Sequence, residues 1–332
     1  MMSRIQPLPR NAEGIERLVQ RMRGRKLPPE RELARQFGIS RGRVRIILDT
    51  LESKGLVVRH QGSGTYALED GSAAVSTVAL LVDAQLKLAD DPFFSAVIER
   101  VQQVCQTEGL RCTLERVGEG EKPIIVEDGI IAVGLATRDT LERLGRSDGP
   151  AVGLFVRPRA RPGSRVTMLD LDDEGAGRVA VEHLIAAGCN SLAFLGPDNV
   201  PSAQRRLRGA AQAAEDGGRR LTALDSPLTY AAGLIDAAKL SIPAGGSRLG
   251  IIAGCDWLAL GLHTGLLNRG GKVRDRITIV SFDGLPITAD PSLGIRSLAA
   301  PIDAMATDAV AELRRLAAAP VSCGREIRYA LC

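Results

Sequence analysis

Aromatic side chains are scarce in this sequence: six Phe, three Tyr and one Trp make up 3% of 332 residues. Cores must therefore be built from Ala, Val, Leu and Ile, and any ring at a strand end stands out. Histidine is almost absent, at His60, His183 and His263, and the six cysteines (Cys105, Cys112, Cys189, Cys255, Cys323, Cys332) never fall in a C-x-x-C spacing. Neither a zinc site nor a disulfide framework is expected. No apolar run reaches the ~18 residues of a membrane span, and the opening M-M-S-R-I-Q-P lacks a signal-peptide pattern. A cytoplasmic protein with no membrane partner is the expectation. Without a P-loop, a metal cluster or a Ser-His-Asp spacing, neither an enzyme nor a cofactor is expected.

What is present is a charge asymmetry. Residues 1–68 hold 14 Lys and Arg against 6 Asp and Glu, and residues 69–332 hold 29 against 33, so the overall +4 hides a basic head on an acidic body. A basic head gains affinity for any duplex by counterion release. The small, polar run Glu69 to Thr77, E-D-G-S-A-A-V-S-T, reads as a linker. Three parts follow: a head over 1–68, a linker over 69–77 and a large unit over 78–332.

In the head, Ile15, Leu18, Val19 and Met22 recur at i, i+3, i+4 and i+7, and Val44, Ile47, Leu48 and Leu51 repeat the pattern. Each set forms one apolar helical stripe. Between them, Leu33, Ala34 and Phe37 offer a buried face, and Gly38 suits the left-handed residue that ends a helix. Ser40 then caps the next helix, which leaves Arg41, Gly42, Arg43 and Arg45 in its first turns, where major-groove helices carry base-reading side chains. Leu56 to Arg59 and Thr65 to Leu68 read as strands around a Gly62-Ser63-Gly64 tip. Helix, helix, recognition helix and wing make a winged helix-turn-helix.

The runs E-R-E-L-A, S-R-G-R-V-R and Q-G-S-G-T, in that order and spacing, resemble the DNA-binding domain of the GntR family of bacterial transcription regulators over about the first 68 residues. The resemblance implies that Arg31, Arg41 and Arg45 contact phosphates and base edges, that Ser40, Gly42 and Arg43 face the groove, and that Gln61 and Gly62 form the wing contact. Pro29 stands where that family usually has a capping Ser, and Ile46 where it usually has Glu. Gly42 has no side chain with which to read a base.

From Val78 onward, short apolar runs alternate with amphipathic segments. Val78 to Val82, Gly129 to Val133, Ala151 to Phe155, Ser191 to Leu195, Leu249 to Ala253 and Ile277 to Phe282 have the character of strands buried on both faces. Phe94 to Gln106, Glu174 to Ala187, Ser202 to Ala214 and Asp256 to Asn268 read as the helices between them. The pattern predicts a doubly wound α/β architecture, long enough for two lobes with a cleft at the strands' carboxyl ends.

The landmarks D-D-P-F-F-S-A-V-I-E-R-V, L-D-L-D-D-E-G-A-G-R-V-A-V-E-H-L, R-R-L-R-G and I-V-S-F-D-G-L-P, in order over about Val78 to Leu316, resemble the effector-binding domain of LacI-type repressors, which shares its fold with periplasmic sugar-binding proteins. By that resemblance Phe93 and Phe94 form the aromatic wall of a pocket, and Asp172, Arg206, Asp256 and Asp283 supply polar contacts, with Trp257 lining it. Thr137 and Arg157 fall at strand ends near the cleft. Such a set suits a polyhydroxylated ligand, a sugar or sugar derivative, because carboxylates and guanidinium bond vicinal hydroxyls while rings cover the C–H face. Each residue also has a plainer reading: Phe93 and Phe94 as helix-start core, Asp172 and Asp283 as caps, Arg206 on a solvated face with Arg205 and Arg208, and Trp257 as helix packing.

The resemblance further implies a homodimer presenting two heads to a palindromic operator. This chain departs from it by having only eleven residues between Val117 and Gly129, where a helix is usual, by Cys255 in place of a frequent Asn, by Ala300 in place of Gln, and by lacking the short hinge helix. A rival reading rests on Gly175 to Ala180, G-A-G-R-V-A, which follows a strand and opens a helix as a dinucleotide fingerprint does. The carboxylates Asp170, Asp172, Asp173 and Glu174 just before it would repel the pyrophosphate of NAD. The expected function is a ligand-responsive DNA-binding regulator, a repressor.

Overall fold

A computed structural model describes residues 10–22, 25–53, 56–60, 64–67, 75–118, 127–134, 150–156, 166–241, 247–270, 275–318 and 324–332, with only the backbone at 10–13, 53 and 60. The head opens with three helices, α1 (Arg10–Arg21), α2 (Glu30–Phe37) and α3 (Arg41–Ser53). An antiparallel ribbon of β1 (Val57–His60) and β2 (Gly64–Ala67) follows. Ile15, Val19, Leu33, Val44, Ile47, Leu48 and Leu51 meet in one core, with Leu18 and Met22 packed at its margin. The two apolar stripes therefore face each other. The ribbon is tied to the loop before α2, where Leu27 N–H donates to the Thr65 carbonyl at 2.8 Å and Ala67 N–H to that of Arg25 at 3.0 Å. Gly64 belongs to β2 rather than to the ribbon's tip, and the tip at 61–63 lies outside the described residues.

The body is built on two sheets that are parallel throughout. The first has the order β13-β7-β6-β5-β3-β4, with β3 (Thr77–Asp83), β4 (Arg111–Val117), β5 (Gly129–Val133), β6 (Ala151–Leu154), β7 (Val166–Leu171) and β13 (Glu326–Tyr329). The second has the order β12-β11-β10-β8-β9, with β8 (Ser191–Leu195), β9 (Arg220–Leu224), β10 (Leu249–Ala253), β11 (Ile277–Asp283) and β12 (Ile295–Ala299). Parallel strands need crossover helices. These are α4 (Pro92–Thr107), α5 (Asp173–Ala186), α6 (Pro201–Asp216), α7 (Tyr230–Lys239), α8 (Asp256–Asn268) and α9 (Ile302–Ala318).

The chain leaves the first sheet through α5 and returns through α9, which packs on α4, β5, β6 and β7 before β13 pairs beside β7. Val75 is already buried in the body's core and Thr77 begins β3, so the packed body reaches a little before residue 78, while residues 68–74 lie outside the described residues. Residues 119–126, where the resemblance leads one to look for a helix, lie outside the described residues. Among the described residues, no helix is long and apolar enough to cross a membrane.

Candidate nucleic-acid interface and ligand cavity

The start of α3 is set by two local devices. Gly38 takes φ 63°, ψ 33° and closes α2 by donating its N–H to the Ala34 carbonyl; only a residue without a Cβ adopts this left-handed turn at little cost. Ser40 Oγ then accepts the Arg43 N–H at 3.2 Å, satisfying one of the free donors of α3. With Val44, Ile47 and Leu48 buried, Arg41, Gly42, Arg43, Arg45 and Ile46 are left exposed, as is Arg31 on α2. Arg45 pairs with Glu30 at 3.1 Å, and Arg59 of β1 pairs with Asp49 while donating to the Arg45 carbonyl at 3.2 Å. Arg45 is thus held by a carboxylate of α2 although its side chain stays largely exposed. Gln61 and Gly62 lie outside the described residues.

In the body, the carboxyl ends of strands from both sheets enclose a cavity of about 580 Å³. One wall is aromatic. Phe93, Phe94 and Phe155 meet edge to face with ring centroids 5.3–6.0 Å apart. Asp91 orients the first two by capping α4, its carboxylate accepting the Phe94 N–H at 3.0 Å, and burial pushes that carboxyl above its ordinary value. Gly134, with φ 57°, follows β5 at a place where a Cβ would come within 2.6 Å of the Phe94 ring, so the ring's seat requires glycine.

The facing wall is charged. Arg206 is buried, with its Nε donating to Asp173 at 2.9 Å, its Nη1 to the Gly254 carbonyl at 2.8 Å, and its guanidinium stacked 4.4 Å from the Phe282 ring centre. Arg205 donates to the other oxygen of Asp173 at 2.9 Å and reaches Asp170 at 3.5 Å. Asp283 closes β11 with φ 112°, a conformation that non-glycine residues rarely hold. Burial drives its carboxyl well above the usual range, and the nearby Arg206 opposes that rise. Trp257 lines the same wall, with Tyr230 behind it at 5.9 Å between ring centroids.

Phe93, Phe94, Arg206, Trp257 and Asp283 thus come together as cavity wall. Asp172 does not: its carboxylate accepts the Gly175 N–H at 3.0 Å and caps α5, while its neighbours Asp170 and Asp173 line the cavity instead. Asp256 also stands off the cavity surface. Fully buried behind the wall, it accepts from Ser281 Oγ, from Leu285 N–H at 2.7 Å and from Thr288 Oγ1 at 3.1 Å, and so fixes the turn that carries Asp283. Thr137 and Arg157 lie outside the described residues. Sequence reasoning missed Asp91, Phe155, Asp170, Asp173 and Arg205. A cap before Pro92 and a ring closing a strand were the legible signals for the first two. Cys255 caps α8 through its sulfur, which accepts the Leu258 N–H at 3.4 Å, and burial raises its thiol pKa.

The dinucleotide reading of Gly175 to Ala180 meets two obstacles. The Gly175 N–H that would face a pyrophosphate is taken by Asp172. Gly177 serves helix packing, since a Cβ there would stand 2.0 Å from the Arg206 carbonyl, just as one at Gly209 would stand 1.9 Å from that of Glu174.

Residues 16–67 match the bacterial regulatory proteins of the gntR family, and residues 181–327 match the periplasmic binding protein-like domain. Among curated relatives, the HTH-type transcriptional regulator CelR of Thermobifida fusca is 24% identical over 246 residues, covering 69% of this chain and 71% of that protein. An HTH-type transcriptional regulator from the aml 5′ region of Streptomyces limosus is 29% identical over 159 residues, covering 45% of this chain and 44% of its own length, so the chain spans less than half of that relative. Among solved structures, a LacI family transcriptional regulator from Enterococcus faecium with bound ribose superposes with a TM-score of 0.65 at 20% identity, covering 77% of this chain and 96% of that one. A CelR–cellobiose complex gives 0.64 at 20% identity, covering 92% and 98%. The chain therefore joins a GntR-type helix-turn-helix head to a periplasmic-binding-protein-like body whose fold is that of LacI-family regulators.

Proposed function

We propose that this protein is a sequence-specific transcription regulator, a repressor, whose hold on its operator is set by a sugar or sugar derivative bound in the body's cavity. The observation that carries the reading is the pairing, across one cavity, of the Phe93–Phe94–Phe155 wall with the Arg206–Asp173–Asp283 group. A ring-shaped polyol would lay its C–H face on Phe93, Phe94 and Phe155 and present its hydroxyls to the charged wall. Ribose in the Enterococcus faecium protein and cellobiose in the CelR complex support a carbohydrate. Because Phe155 follows β6 of the first sheet while Asp283 ends β11 of the second, a ligand bridging them would favour a closed arrangement over an open one.

Two chains paired through their bodies would set two α3 helices in successive major grooves, about one helical turn apart. Closure that alters the spacing of the heads makes ligand and operator affinities reciprocally coupled, typically by ~1–3 kcal/mol. The test is fluorescence anisotropy of the full chain on DNA from upstream of its gene against scrambled DNA, across a salt series and with ribose and cellobiose as first probes. A preference for the upstream fragment that survives physiological salt, and that a sugar shifts, is expected. Equal binding to both fragments that vanishes with salt would reduce the head to a nonspecific cation.

A further inference from the structure

We infer that Ile46 is a specificity-determining residue that reads the 5-methyl group of a thymine in the major groove, with Gly42 opening the space for the helix to approach. The inference rests on the proposed DNA-reading role of α3.

Ile46 is 67% exposed, the most open of the large apolar side chains left on the protein's surface among the described residues. Its place on the helix gives that exposure a meaning. At ~100° per residue, the buried Val44, Ile47, Leu48 and Leu51 centre one side of α3, and Gly42, Ile46 and Asp49 fall on the opposite side. The middle of the outward face is thus a glycine followed one turn later by an isoleucine. Arg41 and Arg45 flank them on one side and Arg43 on the other, while Asp49, a turn further along, is engaged by Arg59.

Gly42 supplies an independent observation. Glycine inside a helix is unfavourable relative to alanine, and it persists where backbone geometry or close packing demands it. Neither applies within this protein: Gly42 has no positive φ, and a Cβ built on it would meet nothing within 4 Å. By contrast, Gly177 and Gly209 are each needed by a backbone neighbour. The space at Gly42 is open outward, toward whatever docks on α3. Charge names the occupant, since the exposed arginines around the strip and the basic balance of residues 1–68 select a polyanion. Within a DNA major groove, the one apolar group on a base edge is the thymine methyl. An isoleucine at the centre of the face, brought close by a helix with no side chain at position 42, meets that group.

The experiment uses the full chain. Bound sequences are selected from a random duplex library, and each thymine of the enriched site is then replaced singly by deoxyuridine, which removes only the methyl. Wild-type protein should lose roughly fourfold in affinity at one or two positions, the worth of one buried methyl-sized group. Ile46→Ala should bind the thymine and deoxyuridine sites alike. Gly42→Ala should unfold at the same or a higher temperature than wild type and yet bind the site more weakly, a combination that a purely structural role would not give. Loss on deoxyuridine that persists unchanged in Ile46→Ala, or no loss at any thymine, overturns the inference. Failure to enrich any sequence would instead refute the DNA-reading role of α3, and the inference with it.

Discussion

Arg206→Ala removes three contacts at once: the 2.9 Å ion pair with Asp173, the 2.8 Å bond to the Gly254 carbonyl and the stack on Phe282. Breaking a buried ion pair by deleting one partner costs about 3–5 kcal/mol, because the other charge stays buried without compensation. Here Asp173 keeps Arg205 at 2.9 Å, which pulls the cost toward the lower end, while the Gly254 carbonyl loses its partner and adds to it. The expected loss is about 3 kcal/mol. At roughly 2–4 °C per kcal/mol for a unit of this size, thermal unfolding followed by circular dichroism should shift down by roughly 6–12 °C. Arg208→Ala is the matched control. Its pair with Glu174 sits in solvent, with 60% and 49% of the two side chains exposed, and pairs of that kind contribute about 0–1 kcal/mol. If Arg206→Ala unfolds no earlier than Arg208→Ala, then the cluster around Asp173 does not hold the charged wall, and the argument from its geometry fails.

Three further outcomes are expected. Asp283 is raised by burial, so between the ordinary carboxylate pKa and its folded value the native state keeps a proton that the unfolded chain releases; stability from this group falls as pH rises through that window. Asp283→Asn should therefore flatten the pH dependence of the melting temperature and raise the midpoint at neutral pH, while weakening the proposed sugar binding read by Trp257 fluorescence. Gly209→Ala places a Cβ 1.9 Å from the Glu174 carbonyl, and forcing α5 and α6 apart should cost about 1–3 kcal/mol or more in urea unfolding. Ser40→Ala removes the bond to the Arg43 N–H, and should cost ~1 kcal/mol of head stability, visible as faster amide exchange at the start of α3.

The head was legible because each of its rules is local. An apolar stripe, a left-handed glycine and a capping serine together place α3 without reference to anything distant, and the structure has Ile15 and Val19 facing Val44 and Leu48 as the spacing requires. The central strands were legible for another reason: buried on both faces, β5, β8 and β10 are unbroken apolar runs. At the sheet edges that signal fails. In β9, Arg220 to Leu224 is largely exposed, and the sequence R-L-T-A-L holds no apolar run and alternates too briefly to stand out. β13 is recruited by its parallel pairing with β7, a partner 158 residues earlier in the chain, which no local pattern announces.

The cavity was legible by region and not by atom. In D-L-D-D, resemblance picked Asp172, yet the strand-to-helix turn spends that carboxylate on the Gly175 N–H and turns Asp170 and Asp173 inward. Arg205 and Arg206 both reach Asp173, so the plain reading of Arg206 as a solvated side chain does not hold. Which of two adjacent like residues faces a cleft depends on the exit angle of a strand, and that angle is fixed by packing between α5 and α6 through Gly177 and Gly209.

The distribution of unfavourable features separates the body's scaffold from its cavity. Among the described residues, the two non-glycine positions with positive φ are Phe155 and Asp283, and both line the cavity. Such conformations cost of order 1–3 kcal/mol each and persist only where the surroundings over-determine them. Phe155 is held by Phe93 and Phe94, and Asp283 by the Asp256 N–H and by the turn that Asp256 anchors. Several of the buried carboxyls share that place: Asp170, Asp173 and Asp283 on the wall and Asp256 behind it, with pKa values raised at the last two. A body selected for stability alone would relax these backbones and replace the charges with apolar side chains. Strain and desolvated charge are thus kept at the strand ends that line the cavity, where the proposed ligand would supply hydroxyl partners to those groups.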